Sequence, residues 1–295
     1  MVESGKMKVY QLVVNFLLLL VTLCMVLPLV LLFLSSITDE KVLVANGYSF
    51  IPEKFSLAAY EYIIQQASTI WRAYGITIFV TLAGTAGSLF LASLTAFPIS
   101  IPELPGRNVI SFFVFFTMLF SGGLVPSYIM WTTIFGIRNT IYAYLLPNFL
   151  LSAFNIILIR TFFQTNIPGE IYDAAKIDGA SYMKIYWKIV LPLGKPILAA
   201  VGLFTALTYW NDWTNGLYYI SDPKLLSIQT LLNRMVQDIK ALTANSAASS
   251  GTLLHIPQVS IRMAIAFVAI LPILMIYPFL QKYFASGIML GAVKG

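Results

Sequence analysis

From Leu12 to Ser36 the chain contains no Asp, Glu, Lys, Arg or His, a run longer than the roughly 18 apolar residues that mark a membrane-crossing helix. Five more stretches lack those residues: Ala73 to Phe97, Val109 to Phe135, Thr140 to Ile159, Ile197 to Asn211, and Met263 to Gln281. In hydrocarbon a backbone N–H or C=O has no water to bond, so each such segment must satisfy its own polar groups as a helix. The runs predict an all-α membrane protein of six transmembrane helices, with residues 1–295 as one transmembrane domain. The fifth run is short at a rise of about 1.5 Å per residue, unless it starts near Leu191 or tilts.

The composition agrees: 59% of the residues are hydrophobic and 10% charged, against about 25% charged in soluble domains. Lys6 and Lys8 ahead of the first run imitate a signal peptide. That run exceeds the roughly 7–15 residues of a signal h-region, and no small-x-small cleavage site follows, so it reads as an uncleaved first helix. An N-in, C-in arrangement puts ten Lys and Arg inside and eight outside; the bias grows when only short loops and span ends are counted. The net charge of +6 suits an anionic inner leaflet. No clustered basic stripe points to nucleic acid, and Cys24, alone in its span, can build neither a disulfide framework nor a metal site.

The uncharged spans also narrow the function. An ion-coupled secondary carrier binds its coupling ion through ionisable groups at membrane depth, and none lies in these runs. Gly5-Lys6 and Gly194-Lys195 lack the upstream glycine and following Ser or Thr of a nucleotide-binding GxxxxGK[ST] loop. A polytopic membrane glycosyltransferase would need an acidic or metal-binding cluster on a loop. His255 is the only histidine, and Asp173 and Asp178, five apart, do not share a helix face. Energy for uphill transport would then come from another chain.

Between the fourth and fifth runs lies a charged island, Ile167 to Pro196. Asn166 is placed to cap a helix, Pro168 suits its first turn and Glu170 favours its positive end. Glu170, Asp173, Ala174 and Ile177 share one side, and Ala174 and Ala175 keep the surface low. Gly179 marks a stop and Ser181 a new cap. Tyr182 to Val190 then reads as an interfacial helix with Tyr186 and Trp187 on it and Lys184 and Lys188 on another side. Pro192 and Pro196 end it and set the entry into span five.

Asp173-Ala174-Ala175, three residues, Gly179, nine residues, then Ile189 and Leu191-Pro192 resemble the EAA loop of ABC importer permeases, with Asp173 one methylene shorter than the family's Glu. IDGA and LPLGKP extend the resemblance to the carbohydrate-uptake, maltose-type (MetI-like) branch. Phe120 to Pro126, Tyr209 to Trp213 and the closing Gly291 to Gly295 are similar to its complex-oligosaccharide and aldouronate sub-branch.

The resemblance implies a MetI-like, type I ABC importer permease fold, non-catalytic and multi-pass in the bacterial cytoplasmic membrane, with loop 167–196 as a cytoplasmic coupling helix. It implies that Glu170, Asp173, Ala174, Ala175 and Gly179 meet a cytoplasmic ATPase dimer, and that Ile189, Leu191 and Pro192 carry motion to span five. Its further implied partners are a second homologous permease, an extracytoplasmic solute-binding protein, membrane lipid and a carbohydrate. ATP and Mg would bind the ATPase, leaving no cofactor on this chain.

An uncharged path suits sugars, whose hydroxyls need hydrogen bonds and whose faces stack on rings. Candidate path residues are Asn148, Asn155, Tyr209, Trp210 and Asn211. Trp210 and Trp213 equally suit an outer aromatic belt, and Asn148, after Pro147, suits capping backbone groups at a proline kink.

Overall fold

A computed structural model describes residues 5–65, 67–147, 150–248 and 259–292; within them the only β contact is an isolated antiparallel bridge between Thr38 and Phe55. The helices are α1 (Gly5–Ser36), α2 (Glu40–Asn46), α3 (Ala58–Gln65), α4 (Ala67–Ser100), α5 (Arg107–Leu119) and α6 (Leu124–Ile129). There follow α7 (Tyr142–Leu145), α8 (Ala153–Asn166), α9 (Gly169–Ile177), α10 (Tyr182–Ile185) and α11 (Leu191–Leu193). The last four are α12 (Lys195–Trp210), α13 (Thr214–Tyr219), α14 (Ile228–Ala248) and α15 (Val259–Ala292). Two compact units result, Met1–Ile70 with Leu232–Leu274, and Trp71–Leu231 with Met275–Gly295.

In the first unit, Ala59 of α3 packs with Ile261, Ala264 and Ile265 of α15, and the rings of Phe33 and Phe267 lie 4.9 Å apart. The first N–H groups of any helix lack an intrahelical partner and sit at its positive end. For α15 a distant side chain fills that need: the Glu40 carboxylate accepts from the Val259 and Ser260 N–H groups and the Ser260 hydroxyl, each at 2.8 Å. Removing a charged cap of this kind costs about 1–3 kcal/mol. Glu40→Ala is therefore expected to lower thermal stability in detergent, with Glu40→Gln between it and the wild type. Equal melting of all three would remove the cap from the account of α15.

In the second unit α4 and α12 approach closely at small residues. A Cβ added to Gly84 would run into the Tyr209 ring, and one added to Gly202 would lie 2.9 Å from Leu89. Several hydroxyls along these helices bond their own backbone, as Thr77 to Ala73 (2.9 Å), Thr95 to Leu91 (2.8 Å) and Thr205 to Val201 (2.8 Å). This is how hydroxyl-bearing spans avoid unpaired donors in lipid. Beyond α12, Asp212 is buried and accepts from the N–H of Asn215 (3.0 Å) and its Nδ2 (2.9 Å). Tyr144, Ser227 and Thr230 bond beside it, and the Ile228 N–H donates to Thr77 at 2.9 Å.

Among the described residues two helices are long and apolar enough to cross a membrane unaided, Val9–Ser36 and Ala67–Ser100. The third predicted run is interrupted: Arg107–Leu119 and Leu124–Ile134 meet at 113°. The cause is Ser121-Gly122-Gly123, where Phe120 turns extended and Gly123 takes φ 84°. The fourth predicted run holds one short turn, α7, before Pro147, which lacks a donor N–H. Helix resumes only at Ala153, capped by Ser152, which accepts from the Asn155 N–H, and it extends past Ile159 to Asn166. The fifth continues from the island, Tyr182–Leu193 and Lys195–Tyr219 meeting at 77°.

Candidate functional site

The island folds as a short helix, a glycine corner and a second helix. Its start differs from expectation. Asn166 is the last residue of α8 and its side chain donates back to Phe162 O and Thr165, while Pro168 itself stands at the cap with ψ 143° and no side-chain cap bond. Glu170 occupies the first turn. The end of α9 is a Schellman closure: Ala180 N–H donates to Ala175 O (2.9 Å) and Gly179 N–H to Lys176 O (3.0 Å). Gly179 has φ 70° with open space around it, so glycine is there for its backbone and not for room. Ser181 accepts from the Lys184 N–H and starts α10.

The loop has two faces. Tyr172, Ala175, Ile185, Tyr186 and Val190 enter one apolar core with Ala92, Ala96 and Phe97 of α4 and Ile156, Ile159 and Phe163 of α8. Tyr186 adds a hydroxyl bond to Ser93 (2.8 Å) and a ring contact with Phe97 (5.5 Å). On the other face Glu170, Asp173, Ala174 and Gly179 are exposed and Ile177 is 86% exposed. Ala175 is the exception among the expected docking residues: it points inward and packs within this chain. Lys176 lies 3.6 Å from Asp173 and 3.9 Å from Glu103, exposed pairs of the kind that add little stability.

After α10 the backbone widens into a π turn over Tyr186–Val190, closed by the Leu191 N–H on Tyr186 O. Pro192 has no N–H and crowds the carbonyl four residues back; the wider turn lets the helix pass through it. Pro192 therefore does not end the helix, as its sequence position suggested. The corner falls at Gly194, where an added Cβ would lie 2.7 Å from Phe163 and 3.0 Å from Val190 O. Ile189 and Leu191 pack against the same core, while Pro192 is exposed.

Sequence reasoning missed Tyr172, Tyr186 with Ser93, and a pair on α8 that closes the end of α4. Arg160 Nε donates to Ile99 O (3.2 Å) and Gln164 Nε2 to Ser100 O (3.4 Å). Their four-residue spacing, at the border of an apolar run, was the available signal.

Of the path candidates, Asn155 donates through Nδ2 to Thr205 (3.1 Å) and lines a cavity of about 310 Å³ with Phe154, Phe204, Thr205 and Thr208. Asn211 lines an adjoining hollow that shares Phe204 and Thr208. Tyr209 is 2% exposed and its hydroxyl donates to Leu145 O at 3.0 Å, which makes it a packing residue between helices. Trp210 is buried within the unit, and Trp213 is 44% exposed. Asn148 and His255 lie outside the described residues.

A strand-free set of apolar helices, with a polar loop rooted in their core, defines an integral membrane protein of the transport-permease class. The chain belongs to the family of binding-protein-dependent transport system inner membrane components, whose model matches residues 73–289. It is 40% identical over 286 residues to the polygalacturonan/rhamnogalacturonan transport system permease protein YtcP of Bacillus subtilis (strain 168), covering 97% of this chain and 98% of that one. Protein LplC of the same organism is 38% identical over 92% of this chain and 90% of its own. A chain in the crystal structure of a bacterial ABC transporter that imports the acidic polysaccharide alginate superposes with a TM-score of 0.79 at 28% identity, covering 96% and 99%. The family resemblance carried by the EAA-like loop is thus borne out.

Proposed function

We propose that this chain is the membrane-spanning subunit of an ATP-driven importer of carbohydrate, an oligosaccharide delivered by a solute-binding protein. The observation that carries the reading is similarity to a polygalacturonan/rhamnogalacturonan transport permease over nearly the whole of both chains. On this reading residues 1–295 work as one permease of six spans, N-in and C-in: the two long helices, the two bent pairs, and the runs that hold α8 and α15. A second permease completes the pore, and a cytoplasmic ATPase dimer binds ATP and Mg.

The exposed face of α9, with Glu170, Asp173, Ala174, Ile177 and Gly179, is the surface offered to the ATPase. Tyr172 and Ala175 join that helix to α4 and α8. Small outer residues admit a close fit, and a packed inner face passes displacement on as a rigid body. Purification of the tagged chain with its co-expressed operon partners tests the assembly. Recovery with an ATPase and a second permease, and ATP-dependent oligosaccharide uptake after reconstitution, is the expected result; a chain active alone is not.

Asn155 and Asn211 remain the path residues on this reading. Asn155→Ala removes the amide that faces the cavity and its bond to the Thr205 hydroxyl, which keeps its own bond to Val201 O, a change of about one hydrogen bond, or 0.5–1.5 kcal/mol. Oligosaccharide selectivity is expected to shift by about threefold to tenfold. Unchanged selectivity across a sugar panel would take Asn155 off the path.

A further inference from the structure

The segment between α2 and α3 exposes large apolar side chains: Tyr48, Phe50, Ile51, Phe55 and Leu57 are between 49% and 80% exposed. It is nevertheless pinned. Asp39 N–H donates to Lys54 O and Ser56 N–H to Ile37 O, both at 2.9 Å, and the Lys54 ammonium lies 3.0 Å from the Asp39 carboxylate. That ammonium holds the Asp39 carboxyl below its ordinary pKa, mainly through the hydrogen bond. Asn46 Nδ2 also donates to Glu53 at 2.9 Å.

The anchoring residues, Ile37 and Asp39, directly follow α1. Val9–Ser36 spans 28 residues, about 42 Å at 1.5 Å per residue. That length matches the roughly 40–45 Å of a bilayer with its headgroups and exceeds the roughly 30 Å hydrocarbon core. The end of α1 therefore lies at headgroup depth. Backbone bonding keeps residues 54–56 within about one strand spacing, roughly 5 Å, of that end.

An apolar, aromatic loop tied to that height has a partner at hand: Tyr and Phe side chains concentrate where hydrocarbon gives way to headgroups, and Lys41 and Lys54 in the same stretch suit lipid phosphate. We propose that residues 48–57 insert into the headgroup region of the bilayer as an interfacial foot beside α1, with phospholipid as the partner.

The test uses the single cysteine to advantage. In a Cys24→Ser background, Ile51→Cys carries an environment-sensitive fluorophore, and the complex with its co-expressed partners is reconstituted into phosphatidylcholine and phosphatidylglycerol vesicles. Spin-labelled lipids place a quencher either near the headgroup or at the acyl-chain end. Expected are blue-shifted emission and about twofold stronger quenching by the headgroup-proximal label. A water-like spectrum indifferent to both lipids overturns the proposal. So does a probe untouched by lipid and shielded only when a solute-binding protein is added, which would mark a protein-docking face. Tyr48→Cys and Phe55→Cys repeat the measurement if the first labelled variant fails to assemble.

Discussion

Gly179→Pro is expected to abolish ATP-driven uptake while leaving the chain inserted in the membrane. Proline holds φ near −65°, whereas the backbone at Gly179 has φ 70°. Proline also deletes the N–H that donates to Lys176 O at 3.0 Å. The corner between α9 and α10 then has to open, and the outer face of α9 leaves its angle to the core. Gly179→Ala is the informative comparison. A Cβ there meets nothing within 4 Å, so the cost is conformational alone, about 1–2 kcal/mol. Uptake should fall by about tenfold at most and be lost with proline. Normal uptake by the proline variant, with insertion verified by extraction and protease mapping, would sink the assignment of this loop to coupling.

The second large effect is expected at Gly84. Valine there drives a branched side chain into the Tyr209 ring, which is 2% exposed and cannot swing into solvent. Relief requires α4 and α12 to part or Tyr209 to leave its rotamer, and the second course breaks its 3.0 Å bond to Leu145 O. Overpacking costs about 1–3 kcal/mol or more, and the lost bond adds about 1 kcal/mol. Thermal unfolding in detergent should show Gly84→Val well below the wild type, with Tyr209→Phe, which removes only the hydroxyl, close to it. Partial recovery in Gly84→Val with Tyr209→Ala would confirm that the two sites couple through contact. Equal melting of Gly84→Val and the wild type would contradict the packing described for α4 and α12.

The parts of the fold legible in sequence are those that local chemistry decides. Residues 12–36 and 73–97 have no charge, so length and hydrocarbon leave them only the helix, and α1 and α4 contain them. Gly179 and Ser181 announced their roles because a left-handed corner and a helix cap each select few residue types. Asp212 was only half visible as a structural residue: its bonds to Asn215 are local, three positions on, but Ser227, whose hydroxyl donates to Asp212 O, comes beside it only once α14 is placed. The direction of Ala175 was equally hidden. Two adjacent alanines are chemically identical, and the position of Tyr172 one turn earlier, facing Phe97 and Tyr186, decides which of them turns inward. The break at Ser121 to Gly123 could be seen as a motif, but its bend depends on Gly123 adopting positive φ, a choice that long apolar flanks on both sides conceal.

The carboxylate of Glu40 and the N–H of Val259 stand 219 positions apart, and this separation sets an order of events during synthesis. Glu40 leaves the ribosome early, among the first residues, yet the groups it bonds are translated only after the polar loop and α1 to α14 are complete. Until then the acid must stay hydrated. At about 5–20 residues per second, that wait lasts on the order of ten seconds or more, during which the other unit has its full continuous stretch, Trp71–Leu231, available to fold. Closure of the first unit is thus a late event: a chain truncated before Val259 can present every residue of the EAA-like loop and still lack the Val259 and Ser260 N–H groups that this carboxylate caps.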